Sequence, residues 1–251
     1  MQEPKIIYED ADVLVLDKPA GLIVHGDGRT EEPTLADWIL AHYPDLKDVG
    51  EPFYLLPNLV PSTKQLVPIP RPGIVHRLDR ETSGVMIVAK NAESFTFLKQ
   101  SFQEHNIEKE YRALVYGHIP TDSGMIDTPI GKSKQDYRLR DATDKAGGTM
   151  REAKTVYEVL QRLTDKEGHK YTYLRVMPKT GRTHQIRAHM KALGYSIVCD
   201  SLYAHGRICP PPLIRQGLHA FKITITLPSG DLKVFESPLP EDFQLVLDSL
   251  A

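Results

Sequence analysis

The stretch from Pro72 to Lys90, PGIVHRLDRETSGVMIVAK, constrains the fold of this chain more than any other. It ends in Val85-Met86-Ile87-Val88-Ala89, a run of apolar and β-branched residues that predicts a buried strand. The nine residues before this run, 76–84, hold five ionisable side chains, two hydroxyls and a glycine, with no helical or strand periodicity. Surface loops are not usually built in this way, so the segment is a candidate reactive centre.

Asp79 lies inside this segment, flanked by Arg77 and Arg80. A carboxylate between two guanidinium groups has its ionised form favoured and can be held in one orientation for nucleophilic or base chemistry. A second interpretation fits the same residues: Asp79 caps a turn and forms a structural ion pair with one of the arginines. The local sequence leaves both interpretations open.

Charge is distributed unevenly along the chain. The formal net charge of the 251 residues is −2, yet residues 1–50 carry 4 Lys/Arg against 11 Asp/Glu, and residues 227–251 carry 1 against 5. The middle of the chain, residues 51–226, is therefore basic by 9 charges. Residues 171–195 hold five basic side chains and no acidic one, a pattern that attracts phosphate backbones but is also found on merely solvated faces.

Several classes of protein are disfavoured by the composition. No apolar run approaches the roughly 20 residues that a membrane span needs, and the acidic N-terminus lacks a secretory signal, so a cytoplasmic location is expected. Cys199 and Cys209 offer neither metal-ligand spacing nor the density of a secreted scaffold, which predicts two reduced thiols. His184 and His189 stand five positions apart and do not suit a metal site on one helix face.

The order of predicted elements mixes hairpins with helices. An α+β domain with a large mixed, mainly antiparallel sheet flanked by helices and loops is therefore expected. The predicted strands are 6–8, 13–16, 85–89, 109–117, 155–163, 171–176 and 222–227, and the predicted helices are 34–42 with Thr34 as cap, 92–102, 183 to about 193 with Thr183 as cap, and 241–250. The proline-rich residues 44–71 are expected to form an ordered but irregular loop.

Three motifs carry a resemblance to a known family. HRLDRETSG followed by an apolar strand, KEYRALVYG at 109–117 and GRTHQIR at 181–187 resemble the signatures of the RluA-like pseudouridine synthases, which isomerise uridine in structured RNA. The resemblance implies that Asp79 is the catalytic residue, that Tyr111 stacks in the active site as the candidate base for the C5 proton, and that Arg187 pairs with Asp79. Cys199-Asp200-Ser201-Leu202-Tyr203 is similar to the family's G-D-x-x-Y segment with cysteine in place of glycine.

The resemblance also implies the organisation and partners of the chain. It spans roughly residues 13–227 of a single catalytic domain, 1–251, with no separate N-terminal RNA-binding domain expected. The partner is RNA, either transfer RNA or large-subunit ribosomal RNA, and no cofactor, metal, membrane or obligate protein partner is implied. Lys18 lies in a segment that resembles the family's lysine-proline-glycine motif, where it faces RNA or water.

Further side chains are candidates for RNA contact and base flipping. Arg77 is the candidate for occupying the space that a flipped uridine vacates. Residues 129–154, with seven basic side chains against four acidic, predict a mobile loop that closes over RNA or a loop that is merely solvated. The remaining candidates are His76, Arg80, Lys18, Lys132, Lys134, Arg138, Arg140, Lys179, Arg182, His184 and Gln185.

Two other functions compete with the isomerase. The first is an RNA chaperone that uses the same fold without turnover. The second is an acid/base hydrolase built on Asp79 and His76, which lacks a second carboxylate at a recognisable spacing. The presence of Asp79, Tyr111 and Arg187 in one chain favours the enzyme.

Overall fold

The computed structural model describes residues 2–26, 32–55, 67–143 and 145–250. It contains fourteen strands and four α-helices within those ranges. The strands are β1 (Lys5–Glu9), β2 (Val13–Lys18), β3 (Phe53–Leu55), β4 (Val67–Ile69), β5 (Ser83–Ala89), β6 (Glu108–Tyr116), β7 (Ser123–Asp127), β8 (Ile130–Ser133), β9 (Arg140–Asp141), β10 (Ala146–Arg151), β11 (Lys154–Thr164), β12 (Lys170–Pro178), β13 (Leu218–Thr226) and β14 (Leu232–Glu236). The helices are α1 (Leu35–His42), α2 (Ala92–Gln103), α3 (Gln185–Ala192) and α4 (Glu241–Ser249).

Nine of these strands form one sheet in the order β1-β2-β5-β13-β6-β12-β11-β7, with β14 also paired to β13. The pairings β1/β2, β2/β5, β6/β12, β12/β11 and β11/β7 are antiparallel. The predicted α+β fold with a large, mainly antiparallel sheet is confirmed. Contacts divide the chain into two compact units, Met1–Ile107 with Thr224–Ser237, and Glu108–Ile223 with Pro238–Ala251.

The first unit is built on the β1–β2 hairpin and the buried strand β5. The Asp10 carboxylate accepts N–H bonds from Asp12 and Val13, which closes the hairpin turn. The apolar side chains of β2 at 13–16 and of β5 at 86–89 are fully buried. Both predicted strands are confirmed, because a continuous apolar run is stable only where both faces of the sheet are covered.

Helices α1 and α2 begin at reciprocal caps. Thr34 accepts a bond from the N–H of Asp37, whose carboxylate accepts from the N–H of Thr34, and Asn91 and Ser94 repeat the arrangement at α2. Both predicted helices are confirmed. Among the described residues no helix is long and apolar enough to cross a membrane.

The proline-rich segment is more regular than expected. A 3₁₀ helix spans Pro44–Asp48, and β3 pairs with β4 in an antiparallel ladder that sets Phe53 opposite Ile69. The prediction of an irregular loop was therefore wrong at these positions, since Pro44 initiates the short helix and Leu46 within this helix is buried. Residues 56–66 of the predicted loop lie outside the described ranges.

The second unit has a core on each face of the β6-β12-β11-β7 ladder. Ala113 and Val115 pack with Ile186 and Met190 of α3 on one face. Leu114 packs with α4 on the other face, as the period-2 alternation of strands requires. The predicted strand pair and C-terminal helix are confirmed.

Within the segment 129–154, where the sequence predicts a mobile or solvated loop, the strands β8, β9 and β10 form a small sheet in the order β10-β8-β9. Gly147 lies on β10, opposite Lys132 of β8. Gly131 allows close strand packing, because a Cβ at this position would lie 2.9 Å from the carbonyl oxygen of Gly147.

Cys199 and Cys209 are joined in a disulfide, with Cα atoms 5.2 Å apart. The prediction of two reduced thiols was wrong, because the chain between them folds back and brings the Cα atoms to disulfide distance. Cysteine spacing in the sequence carries no information about that return.

Candidate active site

The segment that carries Asp79 is fixed at both ends. Ile74 forms an isolated bridge with Val88 of β5, and the N–H of Thr82 donates to the carbonyl of Asp79 at 3.1 Å. Gly73 adopts φ +62°, and a Cβ there would collide with the carbonyl of Ala89, so only glycine fits. Asp79 itself is partly buried at a turn directly before the strand.

Lys18 is fully buried beneath this segment. Its Nζ donates to the carbonyls of Pro19 at 2.8 Å, Leu22 at 2.9 Å and Arg80 at 3.1 Å. The expectation that Lys18 faces RNA or water was wrong, because the side chain is buried. The buried ammonium is stable here because three carbonyl oxygens replace its hydrogen bonds to water. The Lys18 side chain thus links the turn after β2 to the backbone of Arg80, the residue after Asp79.

The other charged side chains of the segment differ in exposure. His76 accepts the N–H of Ile87 at Nε2 (3.0 Å) and stacks on Phe102, with ring centroids 4.5 Å apart. These contacts give His76 a structural anchor. Arg77 is exposed, and Arg80 is exposed and pairs with Glu32 and Glu81.

Tyr111 lies on β6, in the second unit. It is partly buried against the same cluster as Ala113 and Val115 and stands opposite Val176 on β12. These three side chains thus lie on one side of the strand, as the period-2 alternation of strands requires. Lys109 shares that side by alternation, and the sequence reasoning gave it no role.

Helix α3 begins later than the sequence suggests. Its N-cap is His184, in the left-handed conformation with φ +53° and with no side-chain cap bond. The prediction that Thr183 caps the helix was wrong, because the helix begins at Gln185 and His184 occupies the N-cap position. The His184 ring lies with its Nδ1 3.1 Å from the hydroxyl of Tyr203.

Gln185 makes four hydrogen bonds in a buried position, 4% exposed. Its Oε1 accepts from the hydroxyl of Thr180 at 2.7 Å and the N–H of Arg182 at 2.9 Å. Its Nε2 donates to the carbonyl of Lys154 and to Oγ1 of Thr155. The prediction of RNA contact by Gln185 was therefore wrong, since every polar atom of its amide is used inside the protein.

Arg187 is buried and forms a bidentate ion pair with Asp200. Nε lies 2.6 Å from Oδ2 and Nη2 lies 2.9 Å from Oδ1. The guanidinium also lies over the ring of Tyr203, 5.0 Å from its centroid. Asp200 Oδ1 accepts further bonds from the N–H groups of Leu202 and Tyr203, so the pair is locked to the local backbone.

The sequence reasoning missed Asp200 as a partner of Arg187. The resemblance of residues 199–203 to G-D-x-x-Y marked the position without giving a contact. The structure also explains the family's glycine there, because Cys199 has φ +57°, a conformation that costs a residue with a Cβ more than it costs glycine. The pairing of Arg187 with Asp79 stays a prediction.

The basic side chains of residues 129–154 fall into two groups. Lys132 and Lys134 are exposed, and no carboxylate of the described residues lies within ion-pair distance of either. Arg138 is engaged by Asp136, which raises the pKa of the guanidinium, and the backbone N–H of Arg140 donates to Tyr203 at 2.8 Å.

Two further predicted contacts lie beside α3. Lys179 is exposed, and Arg182 is partly buried with its Nε donating to the carbonyl of Glu152 at 2.9 Å. Both belong to the turn between β12 and α3.

Residues 12–192 match the family described as RNA pseudouridylate synthase. Ribosomal large subunit pseudouridine synthase D of Pseudomonas aeruginosa is 38% identical over 99% of this chain and 72% of its own length. The proteins of the same name from Nitrosomonas europaea and Neisseria meningitidis are 36% and 37% identical over 98% of this chain. The chain spans 65% and 60% of their lengths, less than two thirds.

A solved structure, human RNA pseudouridylate synthase domain containing 1, has the same fold. It superimposes with a TM-score of 0.72 at 24% identity over 95% of this chain and 84% of its own. The extent of the match, over residues 12–192, and the identity to the bacterial relatives lead to one conclusion: this chain belongs to the RNA pseudouridylate synthase family of isomerases that act on RNA.

Proposed function

We propose that this protein converts specific uridines of large-subunit ribosomal RNA to pseudouridine, with Asp79 as the catalytic residue. The observation that carries the proposal is the anchored Asp79 turn, which Lys18 holds through the carbonyl of Arg80. The names of three bacterial relatives favour ribosomal over transfer RNA. The chain is then expected to act in the cytoplasm, where ribosomes are assembled.

The chemistry is an isomerisation, so the product has the atoms and oxidation state of the substrate. The bond between ribose C1′ and uracil N1 breaks, the base rotates, and C5 joins C1′. N1 gains a proton and C5 loses one, for which Tyr111 is the candidate base. Asp79 assists the first cleavage by direct attack or by removing the 2′ proton.

The target uridine must leave its stack to reach a partly buried carboxylate. Flipping costs a few kcal/mol, which contacts to the phosphates and a side chain in the vacated space offset. Arg77 is the candidate for that space because it is exposed and lies two residues before Asp79.

Deleting the gene is expected to remove pseudouridine from one or more positions of large-subunit ribosomal RNA and from no position of transfer RNA. Chemical mapping of pseudouridines in total RNA from cells with and without the protein measures this. Wild-type protein supplied in trans should restore the sites, and Asp79→Asn should not. An unchanged map in the deletion strain would favour a non-catalytic RNA chaperone.

Lys132 and Lys134 are proposed to contact phosphates. Replacing both with alanine should weaken RNA binding and lower the slope of log affinity against log salt by about 1.5, since each neutralised phosphate contributes roughly 0.7 to 0.9. Equilibrium binding at several salt concentrations gives the slope. Turnover at saturating RNA should be retained, because backbone contacts position the RNA without touching the reacting base.

The matched control is Lys166→Ala with Lys170→Ala, which removes two exposed charges near the turn between β11 and β12. For this control variant, the slope of log affinity against log salt should be nearly that of the wild type. Equal slopes for the Lys132/Lys134 variant and the wild type would show that the small sheet is a solvated surface. Recognition would then be assigned to other basic residues, Lys179 and Arg182 among them.

A further inference from the structure

Lys109 occupies an unusual position for a lysine. It is partly buried on β6, and its Nζ lies 3.4 Å from the carbonyl oxygen of Thr180. Within the described part of the chain, no carboxylate lies within ion-pair distance of its ammonium. A charge that acts on this ammonium belongs to Lys179, which has the same sign.

Burial and the charge of Lys179 lower the pKa of Lys109 from 10.5 to about 8. The positive charge of Lys179 disfavours the charged form of the Lys109 ammonium in the free protein, because no carboxylate of the described residues lies there to offset it. An anion that binds between them removes this penalty. Side chains with perturbed pKa values cluster at functional sites.

The other charged side chains near Lys109 already have ion-pair or hydrogen-bond partners. Glu110, next to it on β6, is paired with Arg112, Arg175 and Lys222. Arg182 donates to a backbone carbonyl. Lys154 on β11 is paired with Asp127, which raises the pKa of that lysine.

His189 on α3 has a hydrogen-bond partner at each of its two ring nitrogens. His189 is fully buried, with Nδ1 2.8 Å from Oγ1 of Thr155 and Nε2 2.9 Å from the carbonyl of Thr128. Burial lowers its pKa, so it stays neutral at the pH values at which Lys109 titrates. Lys109 is thus the group here that changes charge near pH 8.

The turn beside Lys109 is exposed at Lys179 and at Gly181. A Cβ at Gly181 would lie 3.9 Å from Nζ of Lys109, an ordinary contact distance, so the ammonium lies directly beside this exposed glycine. The turn is itself rigid, since Gln185 bonds both Thr180 and Arg182. Backbone phosphates of RNA are commonly held by lysines in this way.

We propose that Lys109 and Lys179, at the Thr180–Gly181 turn, bind one phosphate of the RNA backbone. The site rests on the proposed function only in naming RNA as the source of the phosphate. Lys109 is a binding residue here and takes no part in the reaction at uracil.

Binding of RNA then takes up a proton above pH 8. A bound phosphate favours the charged lysine and raises its pKa, whereas the free protein loses this proton as the pH rises through about 8. The Kd should therefore be nearly constant below pH 7.5 and rise about tenfold between pH 7 and pH 9.

The test measures the Kd of an unmodified large-subunit ribosomal RNA transcript at pH 7 to 9 and constant ionic strength. Wild type should show the tenfold rise. Lys109→Arg should bind well at every pH with a flat profile, because a guanidinium stays charged. It is also the matched control for any effect of pH on the RNA itself.

Two neutral variants complete the experiment. Lys109→Met should bind several-fold more weakly at pH 7, with a flat profile. Lys179→Met changes an exposed side chain, and it should weaken binding and move the pH dependence upward because the repelling charge is gone. A profile for Lys109→Arg that matches the wild type, or wild-type affinity of Lys109→Met at pH 7, would overturn the site.

Pseudouridine formation by the wild type on the same transcript separates the two proposals. A correct pH dependence without pseudouridine would remove the proposed function and leave the phosphate site. Pseudouridine formation, together with identical pH profiles of the Kd for wild type and Lys109→Arg, would keep the proposed function and remove the phosphate site.

Discussion

Asp79→Asn is expected to abolish pseudouridine formation while RNA affinity changes by less than about tenfold, or about 1.4 kcal/mol. The amide keeps the shape of the side chain but has neither the charge nor the basicity that attack on the ribose or removal of the 2′ proton requires. Single-turnover assays on unmodified RNA, with binding measured on the same preparations, test both parts.

Glu81→Gln is the matched control, since it removes a carboxylate two residues further along the same segment. Glu81 pairs with Arg80 on the surface, so its loss should cost little stability and leave turnover close to wild type. Substantial pseudouridine formation by Asp79→Asn would show that Asp79 is a structural turn residue.

Arg187→Met is expected to lose activity and stability together. The guanidinium and the Asp200 carboxylate are 7% and 0% exposed, and breaking a buried pair of this kind typically costs about 3–5 kcal/mol. If Arg187 also pairs with Asp79, the remaining activity should have its acid limb at higher pH, because a carboxylate that loses a paired cation ionises less readily. Thermal unfolding and rate–pH profiles, normalised to the folded fraction, measure the two effects.

Arg215→Met provides the matched control. Arg215 is buried and forms a bidentate pair with Asp242 in the same unit, with Nε 2.7 Å from Oδ2. This variant should lose stability while its rate per folded molecule and its pH profile stay unchanged. A normal rate and an unshifted pH profile in folded Arg187→Met would show that Arg187 serves the fold alone.

Local chemistry accounts for the features that the sequence by itself determined. The apolar run at 85–89 predicts a buried strand because a covered pleated surface requires such residues. Thr34 predicts the start of α1 because its hydroxyl bonds an N–H three residues ahead. The position of Asp79 before β5 follows in the same way from neighbours in the chain.

Only the tertiary structure decided which distant groups would meet. Lys18 is an ordinary charged residue in the sequence, and the three carbonyls that make its burial stable come from a turn beside it and from Arg80, 62 residues away. The pairing of Arg187 with Asp200 and the disulfide between Cys199 and Cys209 likewise depend on chain reversals. Sequence patterns report burial and turn preferences over a few residues, whereas the partner of a buried polar group is set by the path of the whole chain.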